Sequence, residues 1–195
     1  MSDNIIQGVM TGTVRDNRDP DAEGRVQVIY SLPGQSQATQ WARMAVPVAG
    51  GDRGFYFLPD IGDEVLLAFE GGDPRRPYVV GALWNGRDRP PATNGDGKNN
   101  IHLIRTRNGS QLTFNDGDGS SVRIELNDGK KVELDNAGLR LEDSDGNRLA
   151  IDSQNGSIVI SATKTLTLKA PDITVEASGT LKTSPEAMGK SKRRP

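Results

Sequence analysis

The stretch GSIVISATKTLTLKAPDITVEASGTLK, residues 156–182, decides the fold. Ile158, Ile160, Ala162, Leu166, Leu168, Ala170, Ile173, Val175 and Ala177 fall on every second position of their segments, and Thr, Ser, Lys and Glu fill most places between them. A period of two belongs to β-strands that carry one apolar and one wet face. Only 5% of the chain is aromatic. No amphipathic helix or long apolar segment follows the stretch. Something else must cover its apolar face.

The rest of the chain narrows the choices. Its 195 residues suit one or two domains, and a hydrophobic content of 34% builds a modest core at best. The 23 glycines and 11 prolines mark frequent turns. Such polarity can signal disorder, but disordered segments have no reason to keep a two-residue period. With no cysteine, disulfides and thiolate metal sites are excluded. The beginning, MSDNIIQGVMTGTV, has no basic start followed by a long apolar run, so no signal peptide is expected and assembly is expected in the host cytoplasm. No stretch reaches the roughly 18 apolar residues of a membrane-spanning helix.

Four parts follow from the composition. Residues 1–84 hold eight of the nine Phe, Trp and Tyr residues. Candidate strands VMTGTVRDN, GRVQVIY, QWARMAV, DEVLLAFE and PYVVGALW occur there, the last two joined by the turn GGDPRR. Five short strands suit a small barrel of the OB type. Residues 85–100, NGRDRPPATNGDGKNN, have the composition of a linker. Residues 101–182 alternate. Turn signals stand at Asn108-Gly109, Asp116-Gly117, Asp128-Gly129, Ala137-Gly138, Asp145-Gly146 and Asn155-Gly156, and the strands VRIEL, KVELD, LRLED, RLAID, SIVIS, TLTLK and ITVEA lie among them. Residues 183–195, TSPEAMGKSKRRP, form a polar and basic tail, solvated or in contact with a tip cap or anionic lipid.

Two arrangements can cover the alternating face. A single-chain β-helix needs roughly 20 or more residues per coil. The repeat here is about eight to ten residues, one strand and one corner. The alternative is three identical chains around one axis, each supplying one wall of a triangular prism. Eight strands stacked about 4.8 Å apart would rise on the order of 40 Å. A narrow axial core takes Val, Ile, Leu and Ala, and after Phe114 the chain has no aromatic residue. The expected axial row is Val122, Ile124, Leu126, Val132, Leu134, Leu139, Leu141, Leu149, Ile151, Ile158, Ile160, Leu166, Leu168, Ile173 and Val175. The competing fold is an ordinary antiparallel meander packed on another sheet. The fold class is thus all-β: an OB barrel followed by a trimeric intertwined β-helix.

Residues 41–91, WARMAVPVAGGDRGFYFLPDIGDEVLLAFEGGDPRRPYVVGALWNGRDRPP, closely resemble the OB-domain signature of phage baseplate assembly protein V and the VgrG-type spikes of contractile injection systems. GTVRDNRDPDAEGRVQVIYSLPG looks like the matching N-terminal hairpin. The resemblance implies a homotrimeric central spike beneath a tail tube, its needle driven through the target envelope when the sheath contracts, in a virion or injection particle. It implies a separate hub protein, because no hub region precedes the barrel. Some baseplate V proteins hold a tip metal through a His-x-His motif. With His102 the single histidine, that site is not expected, and a PAAR-type tip protein takes its place.

Candidate chemistry elsewhere is thin. DPDAEG, residues 19–24, opens like an EF-hand loop, but the twelfth position is Tyr30 and no helices flank it. Asp60, Asp63, Glu64, Glu70 and Asp73 could be offered as paired catalytic carboxylates, yet they flank turns and strand ends. His102 has no second histidine and no cysteine to work with. Arg53 with Phe55, Tyr56 and Phe57 is the one candidate for OB-type nucleic-acid binding, and acids crowd the next dozen residues. A polysaccharide-degrading β-helical tailspike would need longer coils and a grouped set of acids. Neither catalysis, a cofactor nor nucleic acid is expected.

Overall fold

The computed structural model describes residues 5–32 and 37–182. The described chain is all-β and divides into two compact units between Thr93 and Asn94.

In the first unit, β1 (Met10–Asp16), β2 (Val26–Ser31) and β3 (Gln37–Met44) form an antiparallel run. A two-residue pair follows, β4 (Ala49–Gly50) with β5 (Arg53–Gly54). Then come β6 (Glu64–Phe69) and β7 (Pro77–Ala82), joined as a hairpin. The barrel closes in the order β1-β2-β3-β7-β6. Its one parallel contact sets Arg43 opposite Tyr78 and Met44 opposite Val79. Alternation decides what goes inside: Val14, Val26, Val28, Val65, Leu67 and Val79 are buried, with Tyr30 and Ala42. The interior is small, so it is filled by β-branched residues that pack well on a pleated surface. Gly12 is required by closeness: a Cβ there would stand 2.7 Å from Leu67 Cδ1.

All five expected strands are present. The β4–β5 pair is additional to them, two residues a side being too short to carry a period. Part of the expected linker is tied down: Asn85 Nδ2 donates to Glu64 Oε2 at 2.8 Å, and Arg87 Nη2 donates to Gly62 O at 3.0 Å.

The second unit is one sheet of seven strands in sequence order: β8 (Ile101–Arg105), β9 (Gln111–Asn115), β10 (Ser121–Glu125), β11 (Lys131–Asp135), β12 (Gly138–Glu142), β13 (Arg148–Asp152) and β14 (Ser157–Ser161). Every neighbouring pair is antiparallel. The pairing is therefore that of a meander within one chain, with no second sheet packed on it among the described residues. Stacked at about 4.8 Å, the strands span on the order of 30 Å.

The hairpins share a device. Asn115, Asp128, Asp135, Asp143 and Asp152 each stand just after or at the end of a strand, and each accepts through Oδ1 a backbone N–H two residues on. Such local bonds favour a turn over continued strand. In the loop after β9 the left-handed glycine is Gly119, at φ 91°, not the expected Gly117.

The strands expected over 165–169 and 173–177 do not form. After β14 the chain runs on past the start of β13, where Thr163 N donates to Asn147 Oδ1 at 2.9 Å. Among the described residues no ladder partner meets that segment.

Candidate functional site

Register makes the seven-stranded sheet two-faced. Directly opposed residues share a face. One row across the sheet runs His102, Phe114, Val122, Leu134, Leu139, Ile151, Ile158. A parallel row runs Ile104, Leu112, Ile124, Val132, Leu141, Leu149, Ile160. Apart from His102, every one of these is Ile, Leu, Val or Phe. None is buried: Ile124 is 49% exposed, Leu141 50% and Ile158 68%.

Ten of the residues expected to face an axis, from Val122 to Ile160, thus come together on one side of one sheet, and Leu126 lies just beyond the end of β10. Leu166, Leu168, Ile173 and Val175 lie past the last strand and are exposed. Ile104, Leu112, Phe114 and His102 extend the face and were not in the expected row, although IHLIR and QLTFN carry the same period of two.

The other face carries ion pairs across its middle strands, while Leu103 at one end of its central row and Ala150 and Val159 at the other are apolar. Arg123, Glu133 and Arg140 stand in line across β10, β11 and β12. Arg123 Nη2 meets Glu125 Oε2 at 3.0 Å, Lys131 Nζ meets Glu142 Oε2 at 3.0 Å, and Arg140 Nη2 meets Glu133 Oε2 at 3.5 Å as well as Asp135. The Arg140 hydrogen bond holds the Asp135 carboxyl below the usual carboxylate range. Alternating charge of this kind satisfies itself against water. The apolar face has nothing comparable.

The remaining candidates fall into local structure. Asp63 Oδ2 accepts from the Asp60 backbone N–H at 2.8 Å, and Glu70 Oε2 takes the Tyr78 hydroxyl at 3.1 Å and lies 3.2 Å from Arg76 Nε. Asp73 pairs with Arg75 at 2.8 Å, which lowers its carboxyl to about 2. In the DPDAEG loop the cation is the protein's own. Asp19, its side chain 5% exposed, accepts the Asp21, Glu23 and Arg25 backbone N–H groups, and the Arg25 guanidinium meets Asp19, Asp21 and Glu23. Arg25 follows the acids directly in sequence, and that was the available signal. Phe55, Tyr56 and Phe57 are exposed just after β5, beside a groove that Arg43, Val48 and Arg53 also line. The C-terminal tail lies outside the described residues.

Comparison with known proteins agrees with the barrel. Residues 10–84 match the family described as the type VI secretion system/phage-baseplate injector OB domain. The type VI secretion system spike protein VgrG1b of Pseudomonas aeruginosa is 33% identical over 95 residues, 45% of this chain and 13% of that protein. VgrG3 of Vibrio cholerae, another type VI spike protein, is 31% identical over 108 residues, 51% of this chain and 11% of its own. The actin cross-linking toxin VgrG1 of Vibrio cholerae is 31% identical over 100 residues, 49% of this chain and 9% of the toxin. The chain thus spans about a tenth of the length of these relatives. The baseplate and VgrG-type spike resemblance read in the sequence is borne out over the N-terminal half.

Proposed function

We propose, from a barrel that matches the injector OB domain and a sheet with one uncovered apolar face, that this protein is the central spike of a contractile injection machine. Three copies set their apolar faces around one axis as a slender needle, each chain supplying a wall. The barrel attaches to a separate hub protein, and a PAAR-type protein caps the tip. On sheath contraction the needle crosses the target envelope. Its role is mechanical, without a catalytic or nucleic-acid-binding step.

The carrying observation is the pair of apolar rows, exposed in a single chain and opposite a face whose middle strands carry ion pairs. Taking an exposed Ile or Leu out of water contributes about 1.5–3 kcal/mol. A contiguous apolar face of this extent is not left wet in a soluble monomer. Three-fold closure covers it with the same surface from two further copies, a closed ring symmetry that homo-oligomers use. A needle under load also profits from having no loose strand between its walls.

Electrophoresis in SDS without heating tests the assembly. Chains held by many strands together separate slowly, so a band at the trimer position that collapses on boiling is expected. Monomers in unheated samples, with cross-linked species absent from the same preparation, would contradict the proposed needle.

A further inference from the structure

The barrel carries an exposed apolar patch of its own. Phe55, Tyr56 and Phe57 follow one another directly after β5, and all three are exposed, Tyr56 by 77%. They line one groove with Arg43, Met44 and Arg53. Three adjacent aromatics left in water on a small barrel mark a surface that something covers.

The patch is held in place. β4 and β5 pair with Ala49 opposite Gly54 and Gly50 opposite Arg53. Phe55 N donates to Val48 O at 3.0 Å, which ties the first aromatic to the residue before β4. Gly54 lies at φ +147°, and a Cβ there would collide with Val48 O, so the chain can pass this close only as glycine. A platform fixed in this way loses little further freedom when a partner binds.

The charges narrow the occupant. Elsewhere in the barrel Arg18, Arg25, Arg75, Arg76 and Arg87 each meet a carboxylate. Arg43 and Arg53 meet none among the described residues: the Arg43 guanidinium lies over the Tyr78 ring at 5.7 Å, and Arg53 folds along Gly50. Of the acids lining the groove, Glu23 is engaged by Arg25 at 3.4 Å, which leaves Asp52 against two arginines. The groove is therefore apolar with an excess of positive charge. Aromatic residues, Met and Arg are the types enriched where proteins meet proteins. No lysine lines the groove, although a surface that tracks phosphates draws on lysine as well as arginine.

Resting on the reading of the barrel as the part that attaches to the hub, we infer that this groove is the docking surface and takes a segment of the partner protein whose apolar side chains are flanked by carboxylates. The aromatics and Met44 cover the apolar side chains. Arg43 and Arg53 give the charge-assisted hydrogen bonds that orient the segment. The sheet's apolar rows need only further copies of themselves, whereas this groove needs a partner of opposite charge.

The test uses the full-length protein, its mass followed by light scattering in the same samples. A random peptide library displayed on yeast is panned against it, and the most enriched peptide is synthesised with a fluorescent label. Enriched peptides are expected to join aromatic or aliphatic residues to Asp or Glu. Arg53→Glu and Tyr56→Ser are each expected to weaken binding of the labelled peptide at least about 10-fold. Both side chains are exposed, so the melting temperature and the trimer mass should stay those of the parent. No enrichment, or a peptide that binds both variants as tightly as the parent, overturns the docking surface and leaves the spike standing. Loss of the trimer in Tyr56→Ser would make the groove a contact between copies, and a single-stranded oligonucleotide that displaces the peptide would make it a nucleic-acid surface; either result overturns the inference. A folded monomeric parent overturns the spike reading itself.

Discussion

At the scale of single residues, much of this molecule is acids answered by nearby bases. Asp73 shows the consequence most simply. The Arg75 side chain and backbone N–H bind its carboxylate and hold it at about 2, below the ordinary 3.8. A depressed folded-state value means the pair stabilises the fold above about pH 4, and that stabilisation is lost as pH falls through about 2. Carboxyl carbon shifts followed by NMR should therefore show Asp73 titrating near 2, and Arg75→Ala should return it towards 3.8. An unchanged midpoint in that variant would mean the arginine is not the cause. Asp19 and Arg25 repeat the logic in a loop whose acids looked like a cation site. The guanidinium fills the place, bonding at 2.7 Å to Asp19 Oδ1, so calcium is expected to leave the melting temperature unchanged.

Secondary-structure elements show what was and was not legible in the sequence. The five barrel strands could be read because each alternates over a long enough run, as in VQVIY, where Val26, Val28 and Tyr30 face in. The sheet strands from β10 to β14 were legible for the same reason. The short β4–β5 pair was not, because two residues carry no period. The expected strands at 165–169 and 173–177 have the right pattern but meet no partner among the described residues: pattern states which face is apolar, not what pairs with the backbone. The axial row was largely recoverable; β8 and β9 carry the same period of two in IHLIR and QLTFN, and register sets His102 and Phe114 on the same face. Gly138 shows how tightly the turns are set. Its φ is +143°, and a Cβ there would lie 1.8 Å from Ile151 O. Gly138→Ala should open the β12–β13 ladder, raise hydrogen exchange at Ser153, which donates to Ala137 O at 2.8 Å, and cost about 1–3 kcal/mol. Gly95→Ala, with nothing within 4 Å, should do neither.

At the scale of the whole molecule, two kinds of apolar surface behave differently. Leu67 in the barrel is fully buried, so Leu67→Ala should lower barrel stability by about 2–5 kcal/mol in thermal or denaturant unfolding, whatever the assembly state. Leu141 is half exposed in one chain. In a monomer, Leu141→Asp would be nearly silent. In a three-fold needle the charge enters three times at one level, unpaired, and stable trimers should be lost. Leu168→Asp should act the same way if the chain beyond β14 joins the needle. Wild-type trimers surviving Leu141→Asp with unchanged heat resistance would place the sheet's apolar rows outside the interface.

The native mass of the purified full-length protein, by light scattering, tests the three-fold needle most directly. A mass near three times 21.0 kDa is expected. A folded particle of 21.0 kDa, with the β8–β14 ladder protected from exchange, would contradict it: the apolar face would then be stable without its copies.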